Sequence, residues 1–297
     1  MASVIENMSN ELAKMVELAG PAVVRVEGRR RMPASGIVWS KDGLIVTAHH
    51  VLERDDRLRV GVGGEEKADA QLVGRDPSTD LAVLKTDQKG LVPADWVELE
   101  ALKVGHLVLA LGRPGRTVQA TLGIVSALGK NWRTPAGGMV DRYLQTDVVM
   151  YPGFSGGALV NVEGKVLGLN TSAHGGVSLT IPTSTVRRVA EALLTDGKVR
   201  RGYLGVGVQP VRLPEALLEE LGQETGLILV SVEPGSPADK GGLTLGDTLL
   251  SLDGSPLRRL DELLDLLSHE LVDREVALRI LRAGESRQMK VTIGERT

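Results

Sequence analysis

The sequence predicts a mainly β chain that opens with a short helix and closes with a small α/β module. Three observations carry that prediction. Short Val- and Leu-rich runs broken by Gly, Pro and Asp recur from Ala22 to about Pro182, the signature of an all-β sandwich or a pair of barrels. A run of apolar residues at helical spacing precedes them, and a mixture of strand and helix patterns follows from about Tyr203. With 36 glycines and only 2% aromatics in 297 residues, the composition suits turn-rich architecture around aliphatic cores.

Taken in order, Val4, Ile5, Met8, Leu12, Met15, Val16 and Leu18 form an amphipathic stripe that Gly20-Pro21 should end, giving a helix within residues 1–20. The β region then offers strands at Gly43–Val46, Leu58–Val62, Ala82–Lys85, His106–Leu111 and Lys165–Leu169. Ser184–Thr195 reads as a helix, capped at its start by Ser or Thr and ended by Asp196-Gly197. Lys198–Gly202 is a short basic linker between a first domain at 21–197 and a second at 203–297. In the second, Leu227–Val232, Val276–Leu281 and Gln288–Ile293 read as strands, and Leu257–Leu271 as a helix with Leu260, Leu263, Leu264 and Leu267 on neighbouring turns.

Several function classes drop out early. A net charge of −3 gives no electrostatic reason to expect nucleic acid. There is no cysteine, so thiol nucleophiles, disulfides and zinc–thiolate sites are excluded. No carboxylate or histidine cluster has metal-ligand spacing, and no cofactor is expected. No stretch has the apolar length to span a bilayer. The N-terminus, with Glu6 and Glu11 and no apolar core run, does not read as a signal peptide, so the expected compartment is the cytoplasm.

The chemistry concentrates in three segments. Gly153-Phe154-Ser155-Gly156-Gly157 presents a serine in a glycine-rich turn, where backbone N–H groups can converge on a developing oxyanion. A serine attacks a carbonyl only when an imidazole takes its proton, and Thr47-Ala48-His49-His50-Val51 offers two. The imidazole needs a buried carboxylate, and Asp80 leads into the apolar run Leu81–Leu84, whereas Asp76 before Pro77 reads as a turn-former. The chain order His, Asp, Ser is one of the known triad orders. Asp147 reads as structural, and His106, His174 and His269 as surface or core residues. Asn170-Thr171-Ser172 matches a glycosylation acceptor, a short motif with no secretion signal beside it.

These strings resemble the HtrA (Deg-type) trypsin-like serine proteases that carry one C-terminal PDZ domain. Ala34–Val38 through Asp42–Thr47, Asp80–Lys85, Gly123–Ser126, Gln145–Asp147, Ser155–Asn161 and Arg201–Val206 all fit the family in order, from Pro21 to the end. The resemblance implies a chymotrypsin-like double β-barrel followed by a PDZ domain, and an ATP-independent endopeptidase acting on unfolded or damaged proteins. It names His50 as the base, Asp80 as its orienting carboxylate and Ser155 as the nucleophile, with the N–H groups of Gly153 and Ser155 as the oxyanion hole.

The specificity pocket would draw on Val149, six residues before the nucleophile, and on Asn170, Thr171 and Ser172. Tyr203, Leu204, Gly205 and Val206 would form the loop that takes hydrophobic C-terminal peptides and so regulates the protease. A homotrimer is implied, for which the apolar face of residues 4–18 offers a surface. Family members that are exported or membrane-tethered give an alternative compartment, reached by a targeting segment outside this chain. The other function reading is a chaperone or scaffold that binds unfolded chains and cleaves little. Ala48 and His49 depart from the family's usual Asn and small residue. Tyr151 and Phe154 stand where it commonly has Asn, which places two of the chain's few aromatics beside the nucleophile. Phenylalanine at 154 cannot accept a newly cut N-terminus, so packing has to hold the oxyanion loop.

Overall fold

Ser3 starts the first helix. Its side chain accepts from the Glu6 N–H while Glu6 reaches back to the Ser3 N–H, a reciprocal cap that satisfies two orphan donors. The helix α1 (Val4–Ala19) runs to Gly20-Pro21, as the stripe predicts. The structure is a computed structural model. It describes every residue except 1–2, 31, 64–65, 173–177, 216–217, 268–270 and 296–297, and only the backbone at 220 and 221. The chain parts into two compact units, Met1–Val199 and Arg200–Thr297.

In the first unit, β1 (Val23–Glu27), β2 (Ala34–Val38), β3 (Leu44–Ala48), β4 (Leu58–Gly61), β5 (Ala68–Asp76) and β6 (Leu81–Thr86) close into a barrel in the order β1-β2-β3-β6-β5-β4. Ile37, Ile45, Leu58 and Leu84 are among its fully buried aliphatics. After β7 (Leu107–Gly112) and β8 (Gln119–Leu128) come a small hairpin, β9 (Trp132–Arg133) with β10 (Met139–Val140), then β11 (Leu144–Thr146), β12 (Ala158–Val160), β13 (Val166–Thr171) and β14 (Ser178–Pro182). A second barrel closes as β11-β14-β13-β12-β7-β8. The alternation of short strands and turns was open to sandwich or barrels, and the pairing is that of two barrels.

Helix α2 (Thr183–Asp196) buries Val186, Val189, Ala190 and Leu193, and ends at Gly197 in the left-handed region with φ 70°. The expected Ser or Thr cap is absent: Pro182 is the N-cap residue and makes no side-chain bond. The Thr183 hydroxyl instead donates to the carbonyls of Val166 and Leu167, tying the helix start to β13.

The second unit is an open sheet, β16 (Val206–Arg212), β17 (Thr225–Val232), β18 (Thr248–Leu252), β20 (Glu275–Arg282) and β21 (Glu285–Thr292), in that spatial order. β19 (Ser255–Pro256) pairs with β18, and β15 (Gly202–Tyr203) pairs with β22 (Gly294–Glu295). Helices α3 (Leu218–Leu221), α4 (Pro237–Lys240) and α5 (Leu260–Leu266) complete it. The helix α5 is shorter than the Leu257–Leu271 stripe: its start is set by Glu262, which accepts from the N–H groups of Arg258 and Arg259, and Leu257 is buried outside it. Residues 268–270 lie outside the described residues. Asp247, 1% exposed, takes two bonds from the Arg282 guanidinium, 2.7 and 2.6 Å long, and pins β18 to β20.

Candidate active site and peptide groove

The first barrel delivers an imidazole and a carboxylate. β3 ends at Ala48 and turns through a single helical turn, His49–Val51, that presents His50. The His50 ring Nδ1 lies 3.0 and 2.8 Å from the two Asp80 oxygens, and the His50 backbone N–H donates to the same carboxylate at 2.9 Å. Asp80, 2% exposed, sits at φ +59°, an unfavourable conformation for a residue with a side chain, and its surroundings over-determine it. Its carbonyl accepts from His49 N–H, and the Thr171 hydroxyl donates to its carboxylate. Burial by itself raises the Asp80 pKa. The bonds and charge interaction with His50, together with the Thr171 bond, outweigh it and hold the carboxyl below the usual range.

The second barrel delivers the serine. Gly153, at φ +93°, closes a turn in which Phe154 N–H donates to the Tyr151 carbonyl. A Cβ at Gly153 would come within 2.5 Å of Pro114 and 2.8 Å of the Pro33 carbonyl, so only glycine fits. The N–H groups of Gly153 and Ser155 have no acceptor among the described residues. Ser155, 8% exposed, places its Oγ 2.9 Å from Ser172 Oγ, and no hydrogen bond joins it to His50. Such contacts commonly tighten only with substrate in place. Thr171 and Ser172 are consecutive residues at the end of β13, so one strand end holds both Asp80 and Ser155.

Not all of the expected pocket is open. Val149, 53% exposed, stands clear, with its carbonyl fixed by the Thr121 hydroxyl. Asn170 and Thr171 are both fully buried, and their side chains do not line a cleft. Asn170 spends its amide on the Ala158 carbonyl and its oxygen on the Thr180 hydroxyl, because a polar side chain inside a barrel has to be paired. The same burial removes it as a glycosylation acceptor. Ser172 is exposed beside Ser155.

Phe154 is wholly buried in the second barrel's core, which leaves Tyr151, 55% exposed, as the aromatic at the surface. Asp147 accepts from the Ile124 N–H at 2.6 Å, and Asp76 from Ser78 and Thr79; both are structural. His49 is half-buried, and burial, with Arg75 nearby, pushes its imidazole pKa down. His106 is exposed, while His174 and His269 lie outside the described residues.

In the second unit a groove of about 330 Å³ runs between β16 and α5, lined by Tyr203, Leu204, Gly205, Val206, Leu263 and Leu267, among others. The N–H groups of Leu204 and Gly205 have no acceptor among the described residues, while the Gly205 carbonyl accepts from Glu233 and the Leu204 carbonyl from Ala238. β16 is an edge strand, so it can take another strand alongside it.

Residues 34–169 match the trypsin-like peptidase domain family, and residues 202–293 match the PDZ domain family. A probable periplasmic serine endoprotease, DegP-like, from Ectopseudomonas mendocina is 37% identical over 98% of this chain. The corresponding protein of Halomonas elongata is 37% identical over 90% of it. The solved serine endoprotease from Yersinia pestis is 31% identical, with a TM-score of 0.79 over 96% of this chain and 98% of that one. The HtrA-type protease AlgW, solved with a tripeptide, is also 31% identical, with a TM-score of 0.78 over 96% of this chain and 97% of that one.

This chain belongs to the HtrA-type serine proteases. It spans 63% and 57% of the lengths of the two curated relatives. For an HtrA-type chain, the structure adds three residues that sequence reasoning did not single out for these contacts. Thr171 braces Asp80, Ser172 touches Ser155, and Ser35 accepts from the Arg113 N–H while donating to the Gly153 carbonyl at 2.6 Å. Nothing in a lone Ser or Thr beside a strand marks such a role; only the barrel closure brings them there.

Proposed function

We propose that the chain is an ATP-independent serine endopeptidase for unfolded or damaged proteins, with a PDZ groove that takes hydrophobic C-terminal peptides and regulates the protease. The observation that carries the reading is the buried Asp80 carboxylate on His50 Nδ1. It keeps the proton on Nδ1 and leaves Nε2 as the acceptor. Ser155 Oγ turns from Ser172 to His50 and attacks the scissile carbonyl carbon as its proton passes to Nε2. The negative oxygen settles between the N–H groups of Gly153 and Ser155, each such donor contributing roughly 3 kcal/mol. As the C–N bond breaks, His50 returns the proton to the leaving amine. Water, deprotonated by the same imidazole, then releases the acyl group.

Val149 gives the pocket an apolar floor with no carboxylate, so cleavage follows small or medium aliphatic residues. Seating Lys or Arg there would leave a charge desolvated and unpaired, at a cost of several kcal/mol. The solved AlgW structures carry a tripeptide or a decapeptide, which supports peptide capture at the groove between β16 and α5. The exposed Val4, Ile5 and Met8 on α1 support self-association, read here as a homotrimer. Relatives named periplasmic favour an exported protein over the cytoplasmic expectation. Among the described residues, no helix is long and apolar enough to cross a membrane.

Casein digestion tests the reading. Wild-type protein should cut it, mainly after Val, Ala, Ile or Leu by mass spectrometry, and Ser155→Ala should not. Undiminished digestion by the Ser155→Ala protein would overturn the mechanism, and a majority of cuts after Lys or Arg would overturn the pocket.

A further inference from the structure

We infer that Phe154 is the positioning residue of the oxyanion loop, aiming the Ser155 N–H donor and anchoring the turn that carries Gly153 through core packing. The inference rests on the protease reading above. Phe154 lies between the two donors, Gly153 N–H and Ser155 N–H, and the surrounding structure grips it at three points. Its own N–H donates to the Tyr151 carbonyl at 3.0 Å. Its carbonyl accepts from the Gly157 N–H at 2.9 Å. Because a peptide unit is planar and trans, fixing the Phe154 carbonyl also fixes the Ser155 N–H, which points the opposite way. The plane joining Gly153 to Phe154 is held at its other end by the Ser35 hydroxyl on the Gly153 carbonyl.

The ring is the third grip. Phe154 is 0% exposed and belongs to the second barrel's core with Val148, Leu159 and Leu167. Gly112 on β7 makes room for it: a Cβ there would lie 2.8 Å from the ring Cδ1 and 3.1 Å from the Phe154 Cα. Tyr151, on the other side of the turn, meets the ring edge-on, with centroids 5.8 Å apart at 77°. The loop therefore cannot tilt as a unit without moving a large side chain within a close-packed barrel. A misplacement of about 1 Å at such a site is enough to lower the rate about 100-fold. All of these contacts lie within the first unit.

The test separates positioning from general stability. Steady-state kinetics on an acylated peptide p-nitroanilide ending in Val, normalised to active sites titrated with a fluorophosphonate, should show Phe154→Asn losing about 100-fold in kcat with KM within twofold. Phe154→Leu, which keeps the apolar contact, should lose no more than about tenfold. Gly112→Ala should push the ring and lower kcat about tenfold, and the Gly112→Ala/Phe154→Leu double variant should be no worse than Phe154→Leu alone.

Wild-type kcat per titrated site in Phe154→Asn would overturn the inference, as would losses that simply add in the double variant. If Phe154→Asn does not fold, the Leu and Gly112 pair still decides. Wild-type protein that never takes the probe would refute the protease reading itself, a different failure.

Discussion

The two units solve opposite problems with β-structure. The first has two closed barrels, so every barrel strand is paired on both sides and the turns that carry His50, Asp80 and Ser155 are anchored between strands that cannot shift register. The second leaves β16 as an open edge beside α5, with N–H groups at Leu204 and Gly205 that have no acceptor among the described residues. Acyl transfer needs donors and nucleophile held within fractions of an ångström, whereas capture of varied peptides needs a strand still looking for a partner. The difference explains why Asp80 can hold a left-handed backbone in the barrel unit, and why the groove keeps the Leu204 and Gly205 N–H groups without an acceptor among the described residues.

The sharpest break between the units is Ser155→Ala. It should lower proteolysis by about a million-fold and leave peptide binding in the PDZ groove unchanged by fluorescence anisotropy. Loss of peptide binding would show the division of labour to be wrong. Asp80→Asn comes next: it should cost about 10⁴-fold in kcat by releasing the His50 tautomer, read from steady-state kinetics.

On the other side, Gly205→Val should weaken peptide affinity at least tenfold, because the residue sits at φ +80° and its Cβ would fall 2.2 Å from Ser236 Cβ. Unchanged affinity would move the peptide away from that loop.

Acid should affect both units in the same direction. Asp80 and Asp247 are held below the usual carboxylate range, Asp247 by the Arg282 and Thr244 bonds that outweigh its burial. A depressed folded pKa stabilises above the unfolded value, so this stabilisation is full at neutral pH and is lost as pH falls through the carboxylate range. Denaturant titrations from pH 7 to pH 3 should show stability falling, and Asp247→Asn should flatten the fall. The smallest expected effect is Ser172→Ala. Freeing Ser155 from a bond worth about 1 kcal/mol should raise the acylation rate a few-fold in stopped-flow labelling.

Much of this was legible in the chain. The Gly-rich turn at Ser155, the apolar run after Asp80 and the strand periodicity rest on local rules, and local rules survive folding. What the sequence hid depends on closure. Thr171 reaches Asp80 across 91 positions and Thr47 reaches the Ser35 carbonyl, both partnerships that local patterns cannot reveal. Asn170, expected to line the pocket, instead donates to the Ala158 carbonyl and accepts from the Thr180 hydroxyl inside the barrel, since burial overrides position in a motif. The Leu257–Leu271 stripe overstated its helix, because Leu257 faces the core from outside it.

The most direct measurement is fluorophosphonate labelling followed by peptide mass spectrometry. The account predicts a single adduct on Ser155 that is lost in His50→Ala. No adduct on Ser155 under any condition, including added hydrophobic C-terminal peptides, would contradict it.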